Sequence, residues 1–448
     1  MSVHITDWIL GVLYLIIIYI LFLFIKGKNI QKHHEYRFFI TGLTVKIVGA
    51  LAFALVYIFY YKGGDTMNYF WGGETLVSYL INDPRTFLRL MFSSADFPDD
   101  LKFILQEIAF ARAPEEWLMV RITAIINLFS FNRYLLSTLL IALISFWGSW
   151  RMYQTFLMFH PNLKKIAFYA VFLTPSVVFW GSGILKDTIS FAFLGLFFYH
   201  SAQVFYFGKR KPNSLLIVFV AFLVIFNLKA YIILSFLPVL LIAWIMQLSR
   251  NMKNKLIRRL LTPIIAFLVL GVAIGSVPYV AEKSEKYRLE NLESRMKGFH
   301  SWHTTVGGST YDLHVTDYSL GSIAAKIPAA LNVTYYRPYP LEVNTPTMAM
   351  GAVESLLFLI LSIVLIIVLR VKFLSYSTKS PLMLISFLYA IIFGFAVGFT
   401  SYNFGALGRY KIPAMPFFAF YLFYLYFHWR KQLLKKRFKR TQFLQESQ

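Results

Sequence analysis

Apolar runs of roughly 20 residues, the length a hydrocarbon core requires, recur along the chain between short polar breaks. The first, Trp8 to Ile25, reads WILGVLYLIIIYILFLFI. The same rhythm predicts helical spans at 8–25, 38–60, 135–157, 166–181, 188–207, 263–280, 347–369, 381–400 and 411–428. The stretch 214–247 is long enough for two more, turning near Asn227–Tyr231. The predicted fold class is therefore all-α: a polytopic transmembrane helical bundle of about 11–12 spans, forming one integral membrane domain over 1–448. The first run is too long for a cleavable leader and no small-residue cleavage site follows it.

One apolar segment fits this scheme poorly. WLMVRITAIINLFSF, 117–131, spans only ~22 Å as a helix at about 1.5 Å per residue, and it carries Arg121 and Asn127. It reads as interfacial or re-entrant. LKFILQEIAFA, 101–111, mixes apolar and polar positions at helical spacing and reads as an interfacial helix.

Charge then orients the spans. The net charge of +23 is concentrated in the breaks at 26–37, 164–165, 208–213, 250–259, 370–379 and 430–440, which hold 24 Lys and Arg against one acid, Glu35. Two longer polar segments differ: 61–116 has nine acidic and five basic residues, and 282–345 has seven of each. That asymmetry is the positive-inside pattern and excludes nucleic acid as the explanation of the charge. It places 61–134, a first loop with interfacial helices, and 282–345, a second loop, outside, and the basic tail 429–448 in the cytoplasm. The chain has no cysteine, which excludes disulfides and thiolate metal sites.

With this orientation the unusual polar residues fall on the outer side. Lys186 and Asp187 follow the small turn WGSG; they either pair with neighbours to fix a hairpin or offer a lysine to a phosphate. Gly181 and Gly183 would let backbone approach a ligand. Arg409, in NFGALGRYKIP with Tyr402, Asn403 and Tyr410, is a headgroup anchor or a bidentate phosphate ligand, with Lys411 as a second contact. Arg337 in YYRPYP admits the same two readings, and Pro338 predicts an extended backbone before it. Glu354 is the one acid inside a predicted span: it is hydrogen-bonded between helices, carries a proton, or pairs with one of these basic residues. Lys229 sits in a short turn and reads either as a snorkelling side chain or as a buried one.

Asp65 leads into TMNYFWGGE after the glycines of YYKGGD, in what reads as a flexible loop. A turn aspartate is the plain interpretation. The chemical one is a base for a sugar hydroxyl, with Tyr69, Trp71 and Trp180 as flat faces for sugar rings. His300, His303 and His314 share a loop with Asp312 and Asp317 without a ligand spacing, so no cofactor is expected, although a divalent metal stays open.

An aspartate-bearing first outer loop and the closing GRYKIPAMPFF, 408–418, resemble the integral membrane glycosyltransferases of the GT-C type. FWGSGILKD, YYRPYPLE and NFGALGRYK look more like bacterial polysaccharide-cluster proteins described as O-antigen polymerase-like or EpsG-like. The resemblance implies a multi-pass protein of the bacterial cytoplasmic membrane. Asp65 would be the catalytic base, Arg409 would meet the donor phosphate, and the substrate would be a polyprenyl-linked saccharide in the lipid bilayer. Other envelope-biosynthesis proteins are candidate partners. This chain has one acid in GGDTMNY rather than a pair, and one extra span at its start, which favours the polymerase-like branch. A flippase of lipid-linked oligosaccharide and a non-catalytic scaffold are the competing classes.

Overall fold

A computed structural model describes residues 5–93, 99–111, 113–209, 211–250, 309–315 and 319–446. Among them regular structure is helical: α1 (Ile5–Ile30), α2 (Phe39–Leu55), α3 (Asp65–Asn82), α4 (Pro84–Phe92), α5 (Lys102–Gln106), α6 (Pro114–Ser130), α7 (Tyr134–Phe159), α8 (Lys164–Phe172), α9 (Pro175–Phe179), α10 (Lys186–Ser201) and α11 (Pro212–Arg250). Beyond the break in the described chain come α12 (Leu320–Ala325), α13 (Ile327–Tyr336), α14 (Pro346–Leu369), α15 (Lys372–Ser375), α16 (Pro381–Thr400), α17 (Phe404–Tyr410) and α18 (Met415–Glu446). The protein is an all-α, multi-pass membrane bundle: 7 helical stretches among the described residues are long and apolar enough to cross a membrane.

Six of those stretches coincide with predicted spans, at α1, His34–Tyr61, α7, Lys186–Tyr206, α14 and α16. The seventh, Pro212–Ser249, covers the run expected to cross twice, and it breaks at Lys229, whose φ of −153° and ψ of 76° are not helical. The expected span 166–181 is different. It is divided between α8 and the five-residue α9, because Pro175 starts a new helix and forces the residue before it out of helical geometry. Of the expected span 411–428, residues 411–414 form a turn and 415–428 open α18, which runs on into the charged tail. The span expected at 263–280 lies outside the described residues.

Local sequence explains where the helices start. Proline occupies the first turn of α4, α6, α9, α13, α14 and α16, where its missing N–H is no loss. Asp83, Thr345 and Ser380 precede three of these prolines and accept the backbone N–H of Thr86, Met348 and Met383.

The chain divides into two compact units, 1–164 with 171–233, and 165–170 with 234–448. In the first, α7 and α10 meet backbone to backbone: a Cβ on Gly195 would lie 2.0 Å from the Gly148 carbonyl oxygen. Small residues allow such approach where apolar lipid gives no hydrophobic drive to helix association. Likewise α3 packs on α6 through Gly72 and Gly73, and Asn127 donates to the Phe70 carbonyl at 3.1 Å. Hence 117–130 belongs to a helix of 17 residues docked on protein, and Phe131 ends it in a left-handed conformation.

In the second unit α13 lies against α16. Gly394 and Gly398, four residues apart on α16, admit Tyr335 and the Ala330 carbonyl, and Thr334 and Tyr335 donate to the carbonyls of Gly394 and Ala390. Part of the segment expected to be an outer loop, 327–336, is thus a helix that buries one face, Ala330, Val333, Thr334 and Tyr335, along a membrane-spanning one.

Candidate functional site

In the first unit three carboxylates and two ammonium groups converge. Lys186, in the first turn of α10, pairs with Glu116 and lies 3.5 Å from Glu115, both in the first turn of α6. Asp187 binds Lys229 at 2.5 Å, with only 6% of each side chain exposed. The Lys229 break therefore has a partner, and the turn reading of Asn227–Tyr231 becomes a buried ion pair rather than a snorkelling lysine. Lys186 and Asp187 follow the pairing alternative. Their cluster has one more negative than positive charge, so it is a poor phosphate site as it stands. Gly181 and Gly183 serve packing: a Cβ would meet the Val177 carbonyl at 2.4 Å and the Phe53 ring at 2.2 Å.

Asp65 does not lie in a flexible loop. The preceding span ends in a π-helical turn, Val56–Tyr61, and Gly64, at φ +98°, reverses the chain so that Asp65 opens α3. The glycine is required there because an L side chain rarely adopts that angle. Of the three rings proposed for sugar stacking, Tyr69 is buried against Phe110, and Trp180 is buried against Phe53 and Phe179. Trp71 alone of the three presents an open face, at 43% exposure.

The second unit holds the arginine motifs. Arg337 follows α13 with the extended backbone expected before Pro338 (φ −116°, ψ 157°). Its guanidinium forms a two-point pair with Glu342, with Nε 3.1 Å from the carboxylate. The rings of Phe404, Tyr339 and Tyr311 surround it at 5.1, 5.7 and 6.0 Å. Burial opposes the charge on Glu342, but Arg337 and the Tyr339 N–H outweigh it and hold the carboxyl below its ordinary range.

A short strap closes this surround. Thr310 bridges Asn403, the Tyr311 N–H donates to the Tyr402 carbonyl, and the Tyr311 hydroxyl donates to the Gly398 carbonyl. Burial pushes the Tyr311 phenol up, so it stays protonated as a donor. Tyr402 is buried, and Asn403 uses its side chain to cap α17 through the N–H groups of Gly405 and Ala406. Lys411 is also withdrawn: it pairs with Glu354 at 3.0 Å, both fully buried. That outcome is the reading in which Glu354 pairs with one of the basic residues. Arg409 stays half-buried over the Tyr410 ring.

Sequence reading missed Lys46, a lysine 1% exposed in the second span. A lone basic residue in TGLTVKIVG was the available signal. It also missed Glu115, Glu116 and Glu342, which look like solvated loop acids until the fold supplies partners. His314 pairs with Asp312 on the surface, while His300, His303 and Asp317 lie outside the described residues. Searches against protein families, curated proteins and solved structures found no match to this chain.

Proposed function

We propose that the protein is a glycosyltransferase of the bacterial cytoplasmic membrane that acts on polyprenyl-(di)phosphate-linked sugars at the outer face, in polysaccharide polymerisation or glycan transfer. One observation supports this most directly: Arg337 stands beside an exposed aromatic ring, Tyr339, at 38% exposure. A sugar phosphate has two chemical halves, and this corner offers a matching group for each. The guanidinium takes two phosphate oxygens in place of the Glu342 carboxylate, and the tyrosine ring takes the apolar face of a sugar.

Transfer forms a bond from the anomeric carbon to an acceptor hydroxyl and releases the lipid (di)phosphate. It needs a carboxylate for the hydroxyl proton and cations for the departing charge. Asp65 is assigned the first role, Arg337 and Arg409 the second. These residues belong to different units, and each assignment is tested separately. The transporter reading keeps one supporting observation, the ionisable groups buried within spanning helices at Lys46 and Glu354.

The test places wild type, Asp65→Asn and Arg337→Ala, at equal protein level, in a host without its own polymerase but with the matching surface-polysaccharide genes. Lipid-linked ladders are expected to collapse to single units in both variants. Wild-type ladders from both would remove the transferase assignment. Single units retained on the inner face would point to the transporter.

A further inference from the structure

Lys46 lies nearly halfway along the span His34–Tyr61 and spends its hydrogen bonds on two carbonyls. Its Nζ is 2.9 Å from the Gly181 oxygen and 3.2 Å from the Val177 oxygen. The Phe191 ring lies 5.2 Å away, and the Ser145 hydroxyl donates to the same Gly181 oxygen at 2.5 Å. These acceptors exist because α9 stops at Phe179, leaving carbonyls in and after its last turn with no helix to receive them. An unmatched carbonyl in a buried site is costly, and so is an ammonium in a spanning helix. Together they offset one another.

The contact belongs to a stripe. Lys46, Gly49 and Phe53 are spaced at i, i+3 and i+7, one face of α2. Gly49 lets the Val178 carbonyl approach to a point 2.2 Å from where a Cβ would sit, and Phe53 fills the space above Gly183. The same turn is tied to α10 by the Thr188 hydroxyl, which donates to the Trp180 carbonyl at 3.0 Å. Five residues beyond Gly181 the chain delivers Lys186 to Glu115 and Glu116, and then Asp187 to Lys229.

We infer that Lys46 is a positioning residue: by holding the Val177 and Gly181 carbonyls it fixes the turn Trp180–Leu185, and so sets Lys186 against the glutamates of α6. Both charged and neutral lysine have two N–H groups to give, so the role requires donors rather than charge. The inference concerns the ion-pair cluster and stands whether or not the chain transfers sugars.

The experiment uses the full chain in lipid nanodiscs and reads the rate at which an amine reagent labels Lys186, by mass spectrometry, relative to exposed Lys209. Lys46→Met, one atom shorter and without donors, should raise Lys186 labelling about fivefold, the ratio that loss of a contact worth ~1 kcal/mol produces. Glu116→Gln should raise it by removing the partner directly. Lys46→Gln, uncharged but with two N–H groups, should stay near wild type. A Lys46→Met protein that is folded, yet labels like wild type while Glu116→Gln labels faster, overturns the inference. If Lys46→Met does not insert, magnetic-resonance distance measurement in the wild type decides: a contact between the Lys46 nitrogen and the Gly181 carbonyl carbon supports the role, and its absence refutes it.

Discussion

Replacing Gly398 with alanine puts a methyl carbon 2.1 Å from the Ala330 carbonyl oxygen and 2.4 Å from the Thr334 hydroxyl oxygen. An ordinary carbon–oxygen contact is about 3.3–3.6 Å, so α13 must retreat from α16 by roughly 1 Å. Overpacking of this kind costs about 1–3 kcal/mol. Retreat also strains the bond from Thr334 to the Gly394 carbonyl, and such bonds are worth ~0.6 kcal/mol between membrane helices. Alanine returns about 0.5–1 kcal/mol through its better helix propensity, so the net expectation is a loss of ~1–3 kcal/mol. The control is Gly351→Ala in the same unit, where the added carbon would find only Pro338 at 3.7 Å. It should gain the propensity term and lose nothing. Unfolding by dodecyl sulfate titration in mixed micelles measures both. Equal midpoints for the two variants would show that α13 is not held by close backbone approach, and the packing argument would fail.

Other outcomes follow from the charged pairs and rings. Lys411→Met should destabilise by about 3–5 kcal/mol by stranding a buried carboxylate, and adding Glu354→Gln should recover most of that loss in the same titration. The Arg337–Glu342 pair stabilises fully above the ordinary glutamate value of 4.5, because the folded carboxyl sits lower, and its contribution is lost as pH falls through that lowered value. Wild type should therefore lose stability in acid more steeply than Glu342→Gln, read as unfolding midpoint against pH. Tyr69→Ala should cost roughly 3–5 kcal/mol as a core truncation, whereas Trp71→Ala should stay within about 0.5 kcal/mol in the same assay.

The spans were legible because a hydrocarbon core demands a length and a composition that any sequence displays. Helix starts were legible too, since Thr345–Pro346 and Ser380–Pro381 announce themselves locally. The loops misled for one reason: periodicity cannot tell a solvated segment from one docked on protein. Asp65 looked like turn chemistry because GGD is turn chemistry, and only Gly64 needed it. YYRPYP gave the extended arginine, yet its partner Glu342 is five residues away in a segment that looked like solvated loop. Tyr69 and Trp71 are two apart on one helix, and nothing in the string YFWGG says which ring faces inward.

The strap at Thr310 also bears on how the chain is made. Tyr311 anchors to Gly398, a residue 87 positions later. At about 5–20 residues per second, a ribosome needs roughly 4–17 s to supply that partner. Until then the aromatic surround of Arg337 lacks both its covering ring and, from the later segment, Phe404. The arginine corner is thus completed only after residues 398 and 404 are made, and a chain truncated before residue 398 would carry Arg337 without its enclosure.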